Sequence, residues 1–317
     1  MNHQKKNRSV FVNAFARLHL GFLDLNGTQG RRFGSLGLGL SAPDTLIEMA
    51  IGKHVFDDAD ALPYIAQSKN LLMQHARIQD EVSIKVHREI PRHFGLGSGT
   101  QMALAIGAGL NALFGTTLTA TEMAFVTGRG LRSGIGIGTF VDGGLVLDGG
   151  RGEQTQVPPI LVQQAFPEPW SILLIFDRGY CGIHGEEEVQ AFARLSAADL
   201  LLTQQVNHRV LMQALPALKE RDLPSFAEGV AALQAYTGDY FAPMQGGRYA
   251  SKLVSQVLYD LMGQQVQCVG QSSWGPTGFA IFESRQMAEA HLDRLQGQFK
   301  QLDWLICQAR NVGAVVR

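Results

Sequence analysis

The chain has 317 residues, enough for two domains with buried cores. Its formal net charge is −1, with 45% hydrophobic and 17% charged residues, which describes a globular protein and gives no sign of a polyanionic partner such as nucleic acid. Cys181, Cys268 and Cys307 are scattered and odd in number, so neither a disulfide framework nor a Cys/His zinc site is expected. No window approaches the roughly 20 apolar residues of a membrane span. The expectation is a cytoplasmic protein without a membrane partner.

Val10 to Phe22 alternates apolar and polar residues, a period of two that predicts a strand with Asn13, Arg17 and His19 on its polar face. The strand ends at Asp24 and is followed by the turn residues Asn26, Gly27 and Gly30 and by Arg31 and Arg32. "DEVSIKVHREI" predicts a second strand. The stretch "PRHFGLGSGTQMALAIGAGLNALF" then passes from a glycine loop into an apolar helix closed by Gly115. Such a loop directs unpaired backbone N–H groups outward at the positive end of a helix, where an anion is favoured. Gly95, Gly97 and Gly99 let it approach, and Ser98, Thr100 and Gln101 add polar groups. The same residues are also consistent with a plain strand-to-helix turn. No Lys follows as GxxxxGK[ST] requires, so the loop is not a P-loop.

"TATEMAFVTGRG" predicts a capped helix starting near Thr119 or Thr121, and residues 127–150 carry two DGG turns that suggest a hairpin. Arg129 and Arg132 lie among these glycines, as a second anion seat requires, since guanidinium groups match phosphate oxygens in pairs. The proline-rich stretch 151–169 predicts a division into domains 1–160 and 161–317. Beyond it come the strand "WSILLIFD", helices near 186–214, 223–237 and 248–262, a strand–loop–strand in "VQCVGQSSWGPTGFAIF", a helix near 285–300 and a last strand at "WLICQA". This order gives an α+β class. In "DRGYCGIHGEEE", Asp177, Arg178 and His184 receive no role beyond lining a cleft, and Glu186 to Glu188 read as the first turn of a helix.

"PRHFGLGSGTQMALA" resembles the signature loop of the GHMP kinase superfamily, P-x-x-x-G-L-G-S-S or close to it. "ARLHLGFLDL" and "GQSSWGPTGFAIF" stand where that superfamily has its first and third motifs. "RLHLGFLDLNGTQGRRFGSLGLGL", "RSGIGIGTFVDGGLVLDGG" and "GQSSWGPTG" further resemble one offshoot, the β-ribofuranosylaminobenzene 5′-phosphate synthases. The resemblance implies a two-domain GHMP kinase-like fold, with a ribosomal-S5-like N-terminal domain, a ferredoxin-like C-terminal domain and a cleft between them, in a homodimer. It implies transfer of phosphoribosyl from 5-phosphoribosyl-1-diphosphate (PRPP) to 4-aminobenzoate or 4-hydroxybenzoate, with loss of carbon dioxide and diphosphate, early in tetrahydromethanopterin biosynthesis. Mg²⁺ is expected with PRPP, and no redox cofactor is expected, because decarboxylation itself restores aromaticity.

On this reading Asp24 and Arg31 are the catalytic candidates, a carboxylate beside a cationic reaction centre and an arginine near the leaving diphosphate or the benzoate. Arg17, His19, Arg32, the 95–101 residues, Arg129, Arg132, Ser272, Ser273, Thr277 and Trp274 are the binding candidates, Trp274 as a wall for the aromatic ring. An ATP-dependent small-molecule kinase and a phosphometabolite-binding protein without chemistry are the alternatives, because PRPP and ATP both present diphosphate to the same loop.

Overall fold

The computed structural model describes residues 9–52, 62–180 and 195–317. Two long antiparallel strands, β1 (Ser9–Asp24) and β2 (Arg31–Ile51), form its spine. Val10, Val12, Ala14, Ala16, Leu18 and Leu20 of β1 are buried, as a half-buried strand requires. The pairing slips between Phe15 and Arg17 and again between His19 and Gly21. Such bulges re-aim side chains, and every residue from Leu18 to Phe22 is buried. His19, placed on the polar face by simple alternation, is inside the protein because both faces of the strand are covered there.

β3 (Val82–Arg88), β4 (Leu145–Asp148) and β5 (Arg151–Gly152) all pair with β2, while β6 (Ile160–Gln164) extends the sheet beyond β4. β11 (Val315–Val316) closes it against β1. Helices α1 (Pro63–His75), α2 (Ser98–Phe114), α3 (Ala120–Val126) and α4 (Ile135–Val141) belong to this half. A Cβ on Gly107 would stand 2.5 Å from the Met123 sulfur. This close packing accounts for a glycine that costs a helix about 1 kcal/mol. α3 starts at a capping box, in which Thr119 accepts from the Glu122 N–H and Glu122 accepts from the Thr119 N–H.

The hairpin expected in 127–150 is not formed. Residues 135–141 make α4, and β4 pairs with β2 and β6. The DGG glycines do turn the chain, with Gly143, Gly144 and Gly150 all at positive φ, but the turns link α4 to β4 and β4 to β5 without closing a hairpin, while the glycines inside α4 are contact points. A Cβ on Gly138 would lie 2.8 Å from Val146, and one on Gly136 would lie 3.1 Å from Thr100.

The second sheet is antiparallel, in the order β10 (Leu302–Gln308), β7 (Ser171–Asp177), β9 (Gly278–Phe282), β8 (Val269–Gln271). All residues of β7 are buried, as its unbroken apolar run predicts. α5 (Leu200–Arg209) continues through a π turn at Val210–Ala214 into α6 (Leu215–Glu220). α7 (Leu223–Gln245), α8 (Lys252–Gly263) and α9 (Arg285–Gln298) complete the half. α5 starts only at Leu200, capped by Asp199, and α7 runs past the expected residue 237. Cys181, His184 and Glu186 to Glu188 lie outside the described residues.

One core joins the halves, with Leu18, Leu20 and Leu36 packed together with Leu174, Phe226 and Phe279. The division drawn at 160/161 falls inside β6, which pairs with β4 in the first sheet, so the chain crosses over after Gln164. It returns to the first sheet at β11.

Candidate active site

The loop from Pro91 to Gly97 carries the chain from β3 into α2. Gly95 (φ 72°) and Gly97 (φ 81°) both sit in the left-handed region, which glycine enters without penalty. Gly97 is the N-cap and offers no side chain to the first turn, so the N–H groups of Ser98, Gly99 and Thr100 have no partner inside the helix. This is the backbone geometry expected of an anion seat.

Three distant segments are fastened around it. The Arg17 N–H donates to the Leu96 carbonyl at 3.0 Å, and its guanidinium donates to the Gly95 carbonyl. The Ser272 hydroxyl donates to the Gly95 carbonyl at 2.8 Å and accepts from the His19 N–H at 3.0 Å. Thr277 donates to the Phe94 carbonyl at 2.6 Å, and the Ser273 N–H donates to the His19 carbonyl at 3.1 Å. Ser273 holds a left-handed φ of 56°, a conformation that costs a non-glycine residue about 1 kcal/mol or more. A side chain at Gly95 would run into the Ser272 carbonyl. The first strand, the glycine loop and the C-terminal loop therefore form one structure.

Arg129 closes the seat beside α2. A Cβ on Gly99 would stand 2.9 Å from its Nη1, and its Nε is buried without a partner. Burial, and then the nearby charge of Arg92, lower its pKa. Gln101 is fully buried and donates to the Gly136 carbonyl at 2.8 Å, joining α2 to α4, while its Oε1 has no partner. Arg132 lies in the turn before α4, among the residues that Asp148 holds. The sequence reading missed Asp148. Its buried carboxylate accepts from Ser35 Oγ (2.6 Å), Gly134 N (2.8 Å), Gly150 N (2.8 Å) and Ser133 Oγ (3.3 Å). Burial raises its pKa, and these hydrogen bonds oppose the rise.

An aromatic region adjoins the seat. The His19 ring is 1% exposed, lies 4.6 Å from the Phe22 ring centroid, and has no partner at either nitrogen. Burial, and secondarily Arg17, hold its pKa well below the ordinary value, so the ring is neutral. Phe22 contacts Phe33 and Phe241, and Trp274 packs on Phe241 at 4.5 Å. Trp274 is 5% exposed, so it is part of a packed cluster more than a bare wall. Tyr236 and Tyr240 border this cluster and line a cavity of about 410 Å³ between α5 and α7. Arg32 lies beside the Tyr240 hydroxyl and opposes the rise in pKa that burial causes there.

Asp24 and Arg31 stand apart. Asp24 lies five residues past His19 in β1, about 16 Å along an extended strand. Its Oδ1 accepts from the N–H groups of Asn26 (2.8 Å) and Gly27 (2.7 Å), capping the hairpin turn. Arg31 donates to the carbonyls of Gly149 and Gly150, both at 2.9 Å. These contacts give both side chains a turn-holding role. Arg32 packs over Gly27, and its guanidinium lies 5.9 Å from the Phe33 centroid.

Among the described residues no group of three or more His, Cys, Asp and Glu is placed to hold a metal ion, and no helix is long and apolar enough to cross a membrane. Ser98 and Thr100 are the oxygen donors on the loop itself.

Residues 63–144, which span the glycine loop and α2 to α4, match the family of GHMP kinases N terminal domains. The chain superposes on homoserine kinase from Cytophaga hutchinsonii with a TM-score of 0.71 over 100% of both chains at 15% identity. With phosphomevalonate kinase from Streptococcus pneumoniae the TM-score is 0.70 at 13% identity, covering 95% of this chain and 99% of that one. These likenesses are of fold. Among sequences it is 30% identical to the β-ribofuranosylphenol 5′-phosphate synthase of Methanocaldococcus jannaschii, covering 96% of this chain and 99% of that protein. It is also 30% identical to the synthase of the same name from Archaeoglobus fulgidus, covering 85% and 86%. With the GHMP kinase fold and the stitched glycine loop in place, the chain belongs to the β-ribofuranosylphenol 5′-phosphate synthase family.

Proposed function

We propose that this enzyme transfers phosphoribosyl from PRPP to a para-substituted benzoate, forming a carbon–carbon bond and releasing carbon dioxide and diphosphate, early in tetrahydromethanopterin biosynthesis. The observation that carries the reading is the two-part site: a cationic, N–H-lined anion seat joined through His19 to an aromatic cluster. PRPP needs the first part and an aryl acid the second. The names of the relatives point to a phenol product, so 4-hydroxybenzoate is the acceptor proposed, with 4-aminobenzoate as its analogue.

The bond between the anomeric carbon and the diphosphate oxygen breaks as the ring carbon bearing the carboxylate attacks. Diphosphate leaves with the electron pair. The bond to the carboxylate then breaks, carbon dioxide leaves, and its electrons restore the aromatic ring. Atoms and electrons balance with no oxidant or reductant. The α2 N–H groups and Arg129 stabilise the negative charge that grows on the diphosphate. The packed cluster of Phe22, Phe241 and Trp274 keeps water from the cationic sugar. Neutral His19, with two nitrogens to offer, orients a hydroxyl of the bound pair. Asp24 and Arg31 hold the hairpin beside this region. Mg²⁺ enters with PRPP as part of the substrate complex, and Ser98 and Thr100 are the protein oxygens proposed to meet it.

A cytoplasmic homodimer belongs to the same reading. Leu201 (61% exposed), Leu202 (55%) and Met212 (67%) on α5 and its π turn form apolar surface of the kind that two copies cover. The test of the reaction is incubation with PRPP and carboxyl-¹³C-labelled 4-hydroxybenzoate, with labelled carbon dioxide and product mass followed together. One equivalent of label released per C-riboside formed is expected. A product that keeps the label overturns the proposal.

A further inference from the structure

Arg92, the second residue of the glycine loop, was not among the residues expected to bind. Its guanidinium carbon lies over the Tyr64 ring of α1, 3.9 Å from the centroid. The Tyr64 hydroxyl is directed to both oxygens of Glu89, at 2.9 and 2.8 Å. Glu89 and Arg92 are three residues apart, close enough in sequence to form an ion pair. Instead the phenol occupies the carboxylate, and the arginine rests on the ring face.

Two consequences follow. First, among the described residues no hydrogen bond or ion pair takes up the Arg92 guanidinium donors, and a contact with a ring face leaves them available. Second, Arg129 lies near enough for the Arg92 charge to disfavour its protonation. Among the described residues no carboxylate pairs with either arginine. Arg129, half-buried against the first turn of α2, and Arg92, in the loop that leads into that helix, are like charges that an anion at the helix start would relieve.

We infer that Arg92 and Arg129 together grip the diphosphate of the ligand, and that the Tyr64–Glu89 pair is a positioning device that keeps Arg92 available to it. The inference rests on the proposed anion seat and adds a residue and a mechanism to it. It explains why an exposed arginine would stack on a tyrosine whose hydroxyl takes up the nearest carboxylate.

The experiment is calorimetric titration of the full chain with inorganic diphosphate, free of Mg²⁺, at two salt concentrations. Arg92→Gln is expected to weaken binding about tenfold and to reduce its salt dependence, the loss of one charge-assisted contact. Tyr64→Phe is the more telling variant. It keeps the ring but frees Glu89 to capture Arg92, so affinity is expected to fall about threefold, although no group near the anion has been removed. Adding Glu89→Gln to Tyr64→Phe restores wild-type affinity. If wild type binds diphosphate and Arg92→Gln binds it equally well, this inference fails while the anion seat stands. If Tyr64→Phe weakens binding and the double variant does not recover, the positioning role fails. If wild type itself does not bind diphosphate, the proposed anion seat fails first.

Discussion

The glycine loop and the β1–β2 hairpin both carry arginines beside glycines, and in the sequence they look equally suited to a phosphate. In the structure they differ in what their charges touch. Arg31 at the hairpin donates to two backbone carbonyls, Gly149 and Gly150. Arg129 at the loop meets the first turn of α2 and leaves its Nε buried without a partner. An arginine matched by carbonyls organises backbone, whereas one held against a helix N-terminus beside another arginine is short of negative charge. Residue type does not separate the two cases; the partners do.

The largest effect expected falls on neither arginine. Asp148 supports the start of α4, and Asp148→Ala would leave the Ser35 hydroxyl and two backbone N–H groups without their acceptor. A loss of about 3 kcal/mol in urea unfolding is expected, the cost of breaking a buried charged network. A loss below about 1 kcal/mol would mean that Gly134 and the seat beside it hold without Asp148.

Gly95→Ala comes next. It forces a side chain into the left-handed region and against the Ser272 carbonyl, costing about 2 kcal/mol. It also displaces the loop, so diphosphate binding should fall with it. Retained binding at reduced stability would break the link between Gly95 geometry and the anion seat.

The hairpin side of the comparison is sharpened by Asp24. Asp24→Asn keeps the Oδ1 acceptor and loses the charge, while Asp24→Ala loses both. If the residue only caps its turn, the asparagine variant retains kcat and the alanine variant loses about 1 kcal/mol of stability. A collapse of kcat in the asparagine variant at full stability would instead assign the carboxylate charge to the chemistry.

The effect that appears only under acid conditions concerns His19, whose folded-state pKa is lowered by burial. Below the unfolded value near 6.5 the unfolded chain binds a proton that the folded chain refuses, so stability falls as pH falls. The slope is at most about 1.4 kcal/mol per pH unit. His19→Gln should flatten this slope between pH 6.5 and 5, measured by urea unfolding. An unchanged slope would place the titration elsewhere.

Much of this was legible in the sequence. Alternation in 10–22 gave β1, and the glycine loop before an apolar run gave α2 with its left-handed Gly115 cap. The resemblance rested on the first strand, the glycine loop and the "SSWGPTG" loop as three separate motifs, and Ser272 and Thr277 supply bonds that join them. What escaped was non-local. Helix α4 went unread among the glycines of 134–138 because their reason, close contact with Thr100 and Val146, lies in other elements. Strand β2 was hidden by the glycines and Pro43 inside it. His19 was expected on an open polar face, and it is buried because other elements cover both faces of β1 from Leu18 to Phe22. Arg92 received no reading, because its partner Tyr64 comes from α1. Asp148 was read as a turn residue of a DGG, although four groups from three segments converge on it.

The most direct test of the central claim is the initial rate of diphosphate release from PRPP, measured with and without 4-hydroxybenzoate for wild type, Arg129→Gln and Arg31→Gln. The account predicts release that requires the aryl acid, a KM for PRPP raised about tenfold or more by Arg129→Gln, and a smaller change in KM for Arg31→Gln. Release independent of the aryl acid, or a KM that responds to Arg31 and not to Arg129, would contradict it.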